Sequence, residues 1–223
     1  MIPIRASEII SERIAGMQIG ILEADQVTVT GHDPGFEENL DQLVRFLHER
    51  FPEGRPSVSE IVGHVRRMYR RIGWEPTQYR PSSEALVRRL LRGKGLYRIN
   101  NLVDYGNLVS AWYFLPMGLY DLDKIRGDIL VDVGGTDEYY DGIAREGIRA
   151  EGKMILRDQN GIFGNPTADS RRTSISADTR SSLALFFCPP EVEQEYIEQT
   201  LDALGSHYQR FSKGKIKKEV IVL

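Results

Sequence analysis

The sequence has a single cysteine, Cys188, which excludes an internal disulfide framework. It has no C-x-x-C or His-x-x-x-His spacing, so no metal site is expected. Long apolar runs are also missing. The longest, Leu183 to Cys188, falls far short of the roughly 20 residues a membrane helix needs. Met1-Ile2-Pro3-Ile4-Arg5 leads into a polar segment without the pattern of a signal peptide, so neither export nor membrane association is expected. A reducing, cytoplasmic setting fits. Cofactor signatures are absent too: Gly93-Lys94-Gly95 lacks the third glycine and the preceding strand of a dinucleotide fingerprint. No G-x-S-x-G turn and no obvious histidine partner supports a serine nucleophile. There is no repeat and no low-complexity tract. With 223 residues and 41% hydrophobic content, the chain can bury one sizeable core, and a single domain over 1–223 is expected.

Charge is present but unevenly spread. The formal net charge is −3, which argues against coating nucleic acid by bulk charge. Between Arg66 and Arg98, however, 10 Lys and Arg stand against 2 Asp and Glu, leaving −11 on the rest of the chain. A local cationic face on an acidic body suits a polyanion met in one orientation. The alternative is a solvated, arginine-rich helix surface.

Hydrophobic periodicity divides the chain. Gln18 to Thr30 reads as one or two strands, and Phe36 to Phe51 as a helix ended by Pro52 to Pro56. Ser57-Val58-Ser59-Glu60 has the capping-box pattern that opens a second helix. That helix gathers Ile61, Val62, Val65, Met68, Tyr69 and Ile72 on one stripe, with Arg66, Arg67, Arg70 and Arg71 opposite. Ser82 or Ser83 can cap another basic helix, with Arg88, Arg89 and Arg92 outward and Gly93 and Gly95 as stops, Lys94 between them. A further helix spans Leu102 to Trp112 and ends before Pro116. Short strands follow at Ile129 to Val133, Lys153 to Arg157, Ile162-Phe163 and Leu183 to Phe187, with Asn160-Gly161 as a hairpin turn. A helix over about Glu191 to Phe211 and a strand at Ile216 to Leu223 close the chain. Helices gathered before a mainly antiparallel sheet region predict an α+β fold of layered helices and sheets.

Two segments open a family resemblance that three others extend. Arg98-Ile99-Asn100-Asn101-Leu102-Val103-Asp104-Tyr105-Gly106-Asn107 is similar to the R-x-x-x-x-V-D-x-x-N stretch of the editing module of phenylalanyl-tRNA synthetase β-subunits. Leu115-Pro116-Met117-Gly118-Leu119-Tyr120-Asp121-Leu122 resembles that module's Q-P-x-H-x-F-D-L. Met154 to Asp158 with Gly161-Ile162 resembles the hairpin before its glycine-rich loop. Tyr79-Arg80-Pro81-Ser82-Ser83-Glu84-Ala85-Leu86 and Asp169-Ser170-Arg171-Arg172-Thr173 are shared with stand-alone B3/B4 domain proteins. The resemblance covers about residues 65 to 190.

The resemblance implies a tRNA or aminoacyl-tRNA partner and a pocket where the Asn107 helix, the Pro116 to Asp121 turn and the loop after Gly164 meet. It also implies an aminoacyl-tRNA deacylase acting in trans, needing a positioned water and oxyanion donors rather than a protein nucleophile. No cofactor is implied. Two departures stand out: Gly118 replaces the motif histidine, and an Asp-Ser-Arg-Arg-Thr run replaces the G-G-x-x-S-G loop. These departures leave two alternatives open, an RNA-binding module without chemistry and a protein binding a small, amino-acid-like anion.

The candidate ligand-binding residues are Asn107, Arg98, Asn100, Gly118, Ser170, Arg171, Arg172 and Thr173. Arg171 and Arg172 offer planar donor forks for a phosphate or carboxylate, or else salt bridges to Asp169 or Asp178. Arg98 and Asn100 are equally suited to a ligand or to tying a neighbouring loop, and Asp104 and Asp121 suit helix or turn capping. The candidate nucleic-acid contacts are Arg66, Arg67, Arg70, Arg71, Arg88, Arg89, Arg92 and Lys94. His32, His48, His64 and His207 lie outside the matched motifs and are expected to be structural or exposed.

Overall fold

The computed structural model describes every residue except His32 and Pro34. His32, one of the four histidines, therefore lies outside the described residues. In chain order the elements are β1 (Ile4–Ala6), α1 (Glu8–Arg13), β2 (Gln18–Asp25), α2 (Phe36–Arg50), α3 (Glu60–Arg71), α4 (Ser82–Leu91) and α5 (Asn101–Tyr113). Then follow β3 (Met117–Asp121), β4 (Ile129–Val133), β5 (Tyr139–Tyr140), β6 (Ile148–Arg149), β7 (Met154–Asp158), β8 (Gly161–Asn165) and β9 (Ala168–Asp169). The chain closes with β10 (Ser181–Cys188), α6 (Gln194–Ser212) and β11 (Lys215–Val222).

The strands form a five-stranded sheet of order β1-β4-β7-β8-β9, a four-stranded sheet of order β11-β2-β10-β3 and the small β5-β6 pair. Every pairing is antiparallel except β1 with β4. The architecture is α+β.

Register shows which face of the four-stranded sheet meets which layer. Gly20, Phe186 and Met117 are aligned across β2, β10 and β3 and so share a face. That face meets the helices. A Cβ on Gly20 would lie 2.8 Å from Ile197 of α6, and one on Gly106 of α5 would lie 2.5 Å from Met117. Ile21, Leu185 and Gly118 are aligned on the opposite face, which Tyr120 and Leu183 share, and this face turns toward β8 and β9. A strand with layers on both sides reads as an unbroken apolar run, as Leu183 to Cys188 does. Within it Cys188 is fully buried, and burial pushes its thiol up to about 12, which disfavours the reactive thiolate.

Three local expectations are corrected. No capping box forms: Pro56–Val58 is a 3-10 turn, Ser59 stands at the N-cap of α3, and its buried hydroxyl has no hydrogen-bond partner. The N-cap of α4 is Pro81, because Ser83 instead donates to the Phe114 carbonyl at 3.0 Å. No second strand follows β2. Val27 and Thr28 donate their N–H groups to Arg180 and Ser212, while Thr30 accepts from the N–H of Asn101, so the segment splices three elements together.

Candidate functional site

The two motif segments do meet. Asn100 caps α5 by accepting the Val103 N–H at 3.0 Å, and at the other end Phe114 takes a left-handed conformation (φ 59°) that turns the chain toward Pro116 and β3. Asp104 accepts the Ile99 N–H at 2.8 Å and Arg98 Nε at 2.9 Å. Arg98 also pairs with Glu37 and lies over the Phe36 ring at 4.2 Å. Arg98, Asn100 and Asp104 thus fasten the entry to α5. Asp121 does the same after β3, accepting Thr179 Oγ1 at 2.7 Å and pairing with Lys124 at 3.0 Å.

Gly118 lies on the sheet face turned away from α5 and toward β8, and the space beside it is filled by Tyr120. Its ring folds back over Gly118, two residues earlier on the same strand face, and reaches β8. A Cβ at Gly118 would lie 2.0 Å from the Tyr120 hydroxyl, and one at Gly164 would lie 2.6 Å away. Phe163 packs edge-on at 4.9 Å. A side chain at 118, the motif histidine included, would collide with Tyr120 as placed. The Tyr120 hydroxyl and Asp169 Oδ1 are both buried without a hydrogen bond of regular geometry, although Asp169 Oδ2 accepts the Leu119 N–H at 3.2 Å. Burial raises the Tyr120 phenol well above its ordinary value, and the Asp169 charge adds to this. The Asp169 carboxyl is raised to about 7 by burial, with Tyr120 and the Leu119 N–H acting against the shift. Asn107 stays half-buried beside Gly106, and its amide makes no hydrogen bond among the described residues.

The arginine loop surrounds a separate, open cavity of about 480 Å³, lined in part by Tyr139, Tyr140, Ser170, Arg171 and Arg172. Most of its polar groups are already occupied. Arg172 forks onto Asp158 at 2.8 and 3.1 Å and also donates to the Lys124 and Gly161 carbonyls. Burial works to raise the Asp158 carboxyl, but bonds from Arg172 and the N–H groups of Arg126 and Asn160 outweigh it and hold it below the ordinary range. Arg171 reaches Glu146 at 3.4 Å. The arginine partners are therefore Asp158 and Glu146, not Asp169 or Asp178. Ser170 donates to the Asp141 carbonyl at 3.0 Å, and Thr173 donates to the Phe163 carbonyl at 3.3 Å.

The basic helices divide into tied and untied cations. Glu84, buried on α4, draws in Arg66 at 3.1 Å, Arg88 at 2.8 Å and Arg80 at 3.7 Å. Arg70 pairs with Glu75 and Arg71 with Glu191. Arg89 donates to the Gly95 carbonyl and lies 4.0 Å over the Tyr97 ring. Arg67, Arg92 and Lys94 are exposed and make no ion pair among the described residues. Of the described histidines, His48 is exposed and His207 stacks on Tyr105 at 4.5 Å. Among the described residues no cluster of three or more His, Cys, Asp or Glu could hold a metal, and no helix is long and apolar enough to cross a membrane.

Two sheets sandwiched with helices, carrying V-D-x-x-N on α5 and P-x-x-x-Y-D-L through β3, define a two-sheet α+β module of one recurrent type. The chain belongs to the B3/4 domain family, whose model matches residues 64–220. It is 18% identical over 211 residues to the "Uncharacterized protein YhzB" of Bacillus subtilis (strain 168), covering 95% of each chain. It is 28% identical over 115 residues to the phenylalanine–tRNA ligase beta subunit of Fusobacterium nucleatum subsp. nucleatum, an alignment covering 47% of this chain and 14% of the ligase subunit. Among solved structures, it is similar to an N-terminal fragment of the phenylalanyl-tRNA synthetase beta-subunit from Pyrococcus horikoshii. That match has a TM-score of 0.49 and 13% identity, and covers 98% of this chain and 53% of the fragment.

Proposed function

We propose that this protein binds tRNA in the cytoplasm through the exposed side of α3 and the C-terminal end of α4, without editing chemistry at the motif pocket. The observation that carries the binding reading is the set of Arg67, Arg92 and Lys94, exposed cations not neutralised by described carboxylates on a body that is otherwise acidic. Such groups release counterions when they meet phosphates, which gives affinity without base contacts. Tyr120 supports the absence of chemistry, because a filled hollow leaves no room for an aminoacyl ester and its water beside Gly118. The test is retention of total tRNA on filters at low salt, alongside release of amino acid from mischarged tRNA. Retention lost in an Arg67→Ala/Arg92→Ala/Lys94→Ala variant, with ester loss no faster than in buffer, is the expected result. No retention rejects the binding reading, and ester loss above buffer rejects the non-catalytic one.

The open cavity of about 480 Å³ favours a second reading, in which Arg171 anchors a small anion. Thermal stabilisation by an amino acid or other small carboxylate, lost in Arg171→Ala, would support it.

A further inference from the structure

A different cleft is lined by none of Asn107, Gly118 and the arginine loop. The 73–79 loop between α3 and α4 faces the turn from β6 to β7, leaving a cavity of about 240 Å³ lined by Trp74, Tyr79, Arg149 and Lys153 among others. Lys153 is the unusual member. It is 7% exposed, its ammonium donates to the Arg149 carbonyl and lies 4.6 Å over the Tyr79 ring, and no described carboxylate pairs with it. A buried cation normally has a counter-charge, because desolvating it alone is costly. Burial first, then the like charges of Arg145 and Arg149, lower its proton affinity. The two carboxylates at the cleft are already committed, Glu75 to Thr77 and Arg70, and Glu151 to Arg149. That leaves one positive charge unmatched, beside Tyr79, a residue 41% exposed.

We infer that this cleft is a nucleotide site, in which Lys153 holds a phosphate and Tyr79 presents its ring to the attached base. Lysine serves as a compact point charge for phosphate, and an aromatic face stacks any base with little sequence preference. An anion seated there replaces the hydration Lys153 has lost. The inference does not rest on the tRNA reading, because a free mononucleotide satisfies it as well as a nucleotide within a single strand.

The test is calorimetric titration of the full chain with adenosine 5′-monophosphate, inorganic phosphate and single-stranded hexaadenylate. The monophosphate, the strand or both are expected to bind, the pattern distinguishing a free nucleotide from one in a strand. Lys153→Met should weaken every ligand that binds by about tenfold or more, the loss of one charge-assisted contact. Tyr79→Ala should weaken the nucleotides while leaving any binding of inorganic phosphate unchanged. Should Lys153→Met fail to fold by circular dichroism, protection of Lys153 in the native protein from an amine-reactive reagent by the bound nucleotide replaces it. The inference is overturned if neither nucleotide probe binds, if Lys153→Met binds as tightly as the native chain, or if bound nucleotide leaves Lys153 labelling unchanged.

Discussion

Gly118 and Tyr120 sit on one face of β3, and each explains the other. The tyrosine ring can occupy the space between the two sheets only because positions 118 and 164 carry no side chain. Gly118→Ala should therefore destabilise the protein by about 1–3 kcal/mol, the range for overpacking a tight site. Tyr120→Ala should cost about 3–5 kcal/mol by leaving a cavity. The diagnostic quantity is their coupling: in a Tyr120→Ala background, Gly118→Ala should become almost neutral when measured by urea unfolding, and simple addition of the two costs would refute the steric link. The neighbouring Asp169 gives a pH signature of opposite sense to most carboxylates. Its folded value, about 7, lies above the unfolded value of about 4. Between these limits the folded chain keeps a proton that the unfolded chain has released, so this group's contribution to stability falls as pH rises through the window and is constant above it. Asp158, and Glu138, whose carboxyl is held low by hydrogen bonds from Arg157 and the Gly135 N–H, act the other way, and their contributions are lost only as pH falls below the ordinary carboxylate range. Asp169→Asn, which keeps an oxygen for the Leu119 N–H, should flatten the decline between about pH 5 and about pH 7, as read from urea midpoints.

At the scale of elements, α3 and α4 show how one arginine-rich segment serves two purposes. Glu84 is 1% exposed and gathers arginines from both helices, so it ties α3 to α4. Glu84→Ala should cost about 3 kcal/mol, in the range for removing one partner of a buried ion cluster. Arg66→Met should cost less because Arg88 and Arg80 still reach the carboxylate, and Arg67→Ala should stay within about 0.5 kcal/mol. Equal losses for Glu84→Ala and Arg67→Ala in denaturant titrations would contradict this division. The helices themselves were readable because an apolar stripe at helical spacing is a local property: α2, α3 and α5 fall within a residue or two of expectation. The hairpin of β7 and β8 was equally legible from Asn160-Gly161. β3 stands where the resemblance implies a turn, Pro116 to Asp121: its five residues show no clean alternation, and their strand character comes from pairing with β10. β1 is three residues long and owes its existence to β4, more than a hundred residues away, so no local pattern announces it. The expected Ser83 cap is missing for a related reason, since its hydroxyl reaches a distant carbonyl instead of its own helix end.

Over the whole molecule, the legible part of the site is the order of its motifs, and the illegible part is what fills the space between them. Gly118 announced a missing side chain, but only packing shows that Tyr120 takes its place. The Lys153 cleft could not be read from local sequence, because it joins residues from two segments about seventy positions apart. Charge follows the same rule. Counting predicts a segment of +8 facing a remainder of −11, but many of those cations are spent on internal carboxylates, and geometry alone singles out Arg67, Arg92 and Lys94. If these three carry the proposed contact with tRNA, affinity should fall log-linearly with salt, and the slope should shrink by about one for each cation removed that meets a phosphate. Replacing Arg66 or Arg88 should alter the slope far less, because those guanidinium groups already neutralise Glu84. The measurement is tRNA affinity at several salt concentrations for the native chain, the triple alanine variant and Arg66→Met. A slope unchanged in the triple variant but reduced in Arg66→Met would transfer the contact to the Glu84 cluster and overturn the assignment of the exposed three.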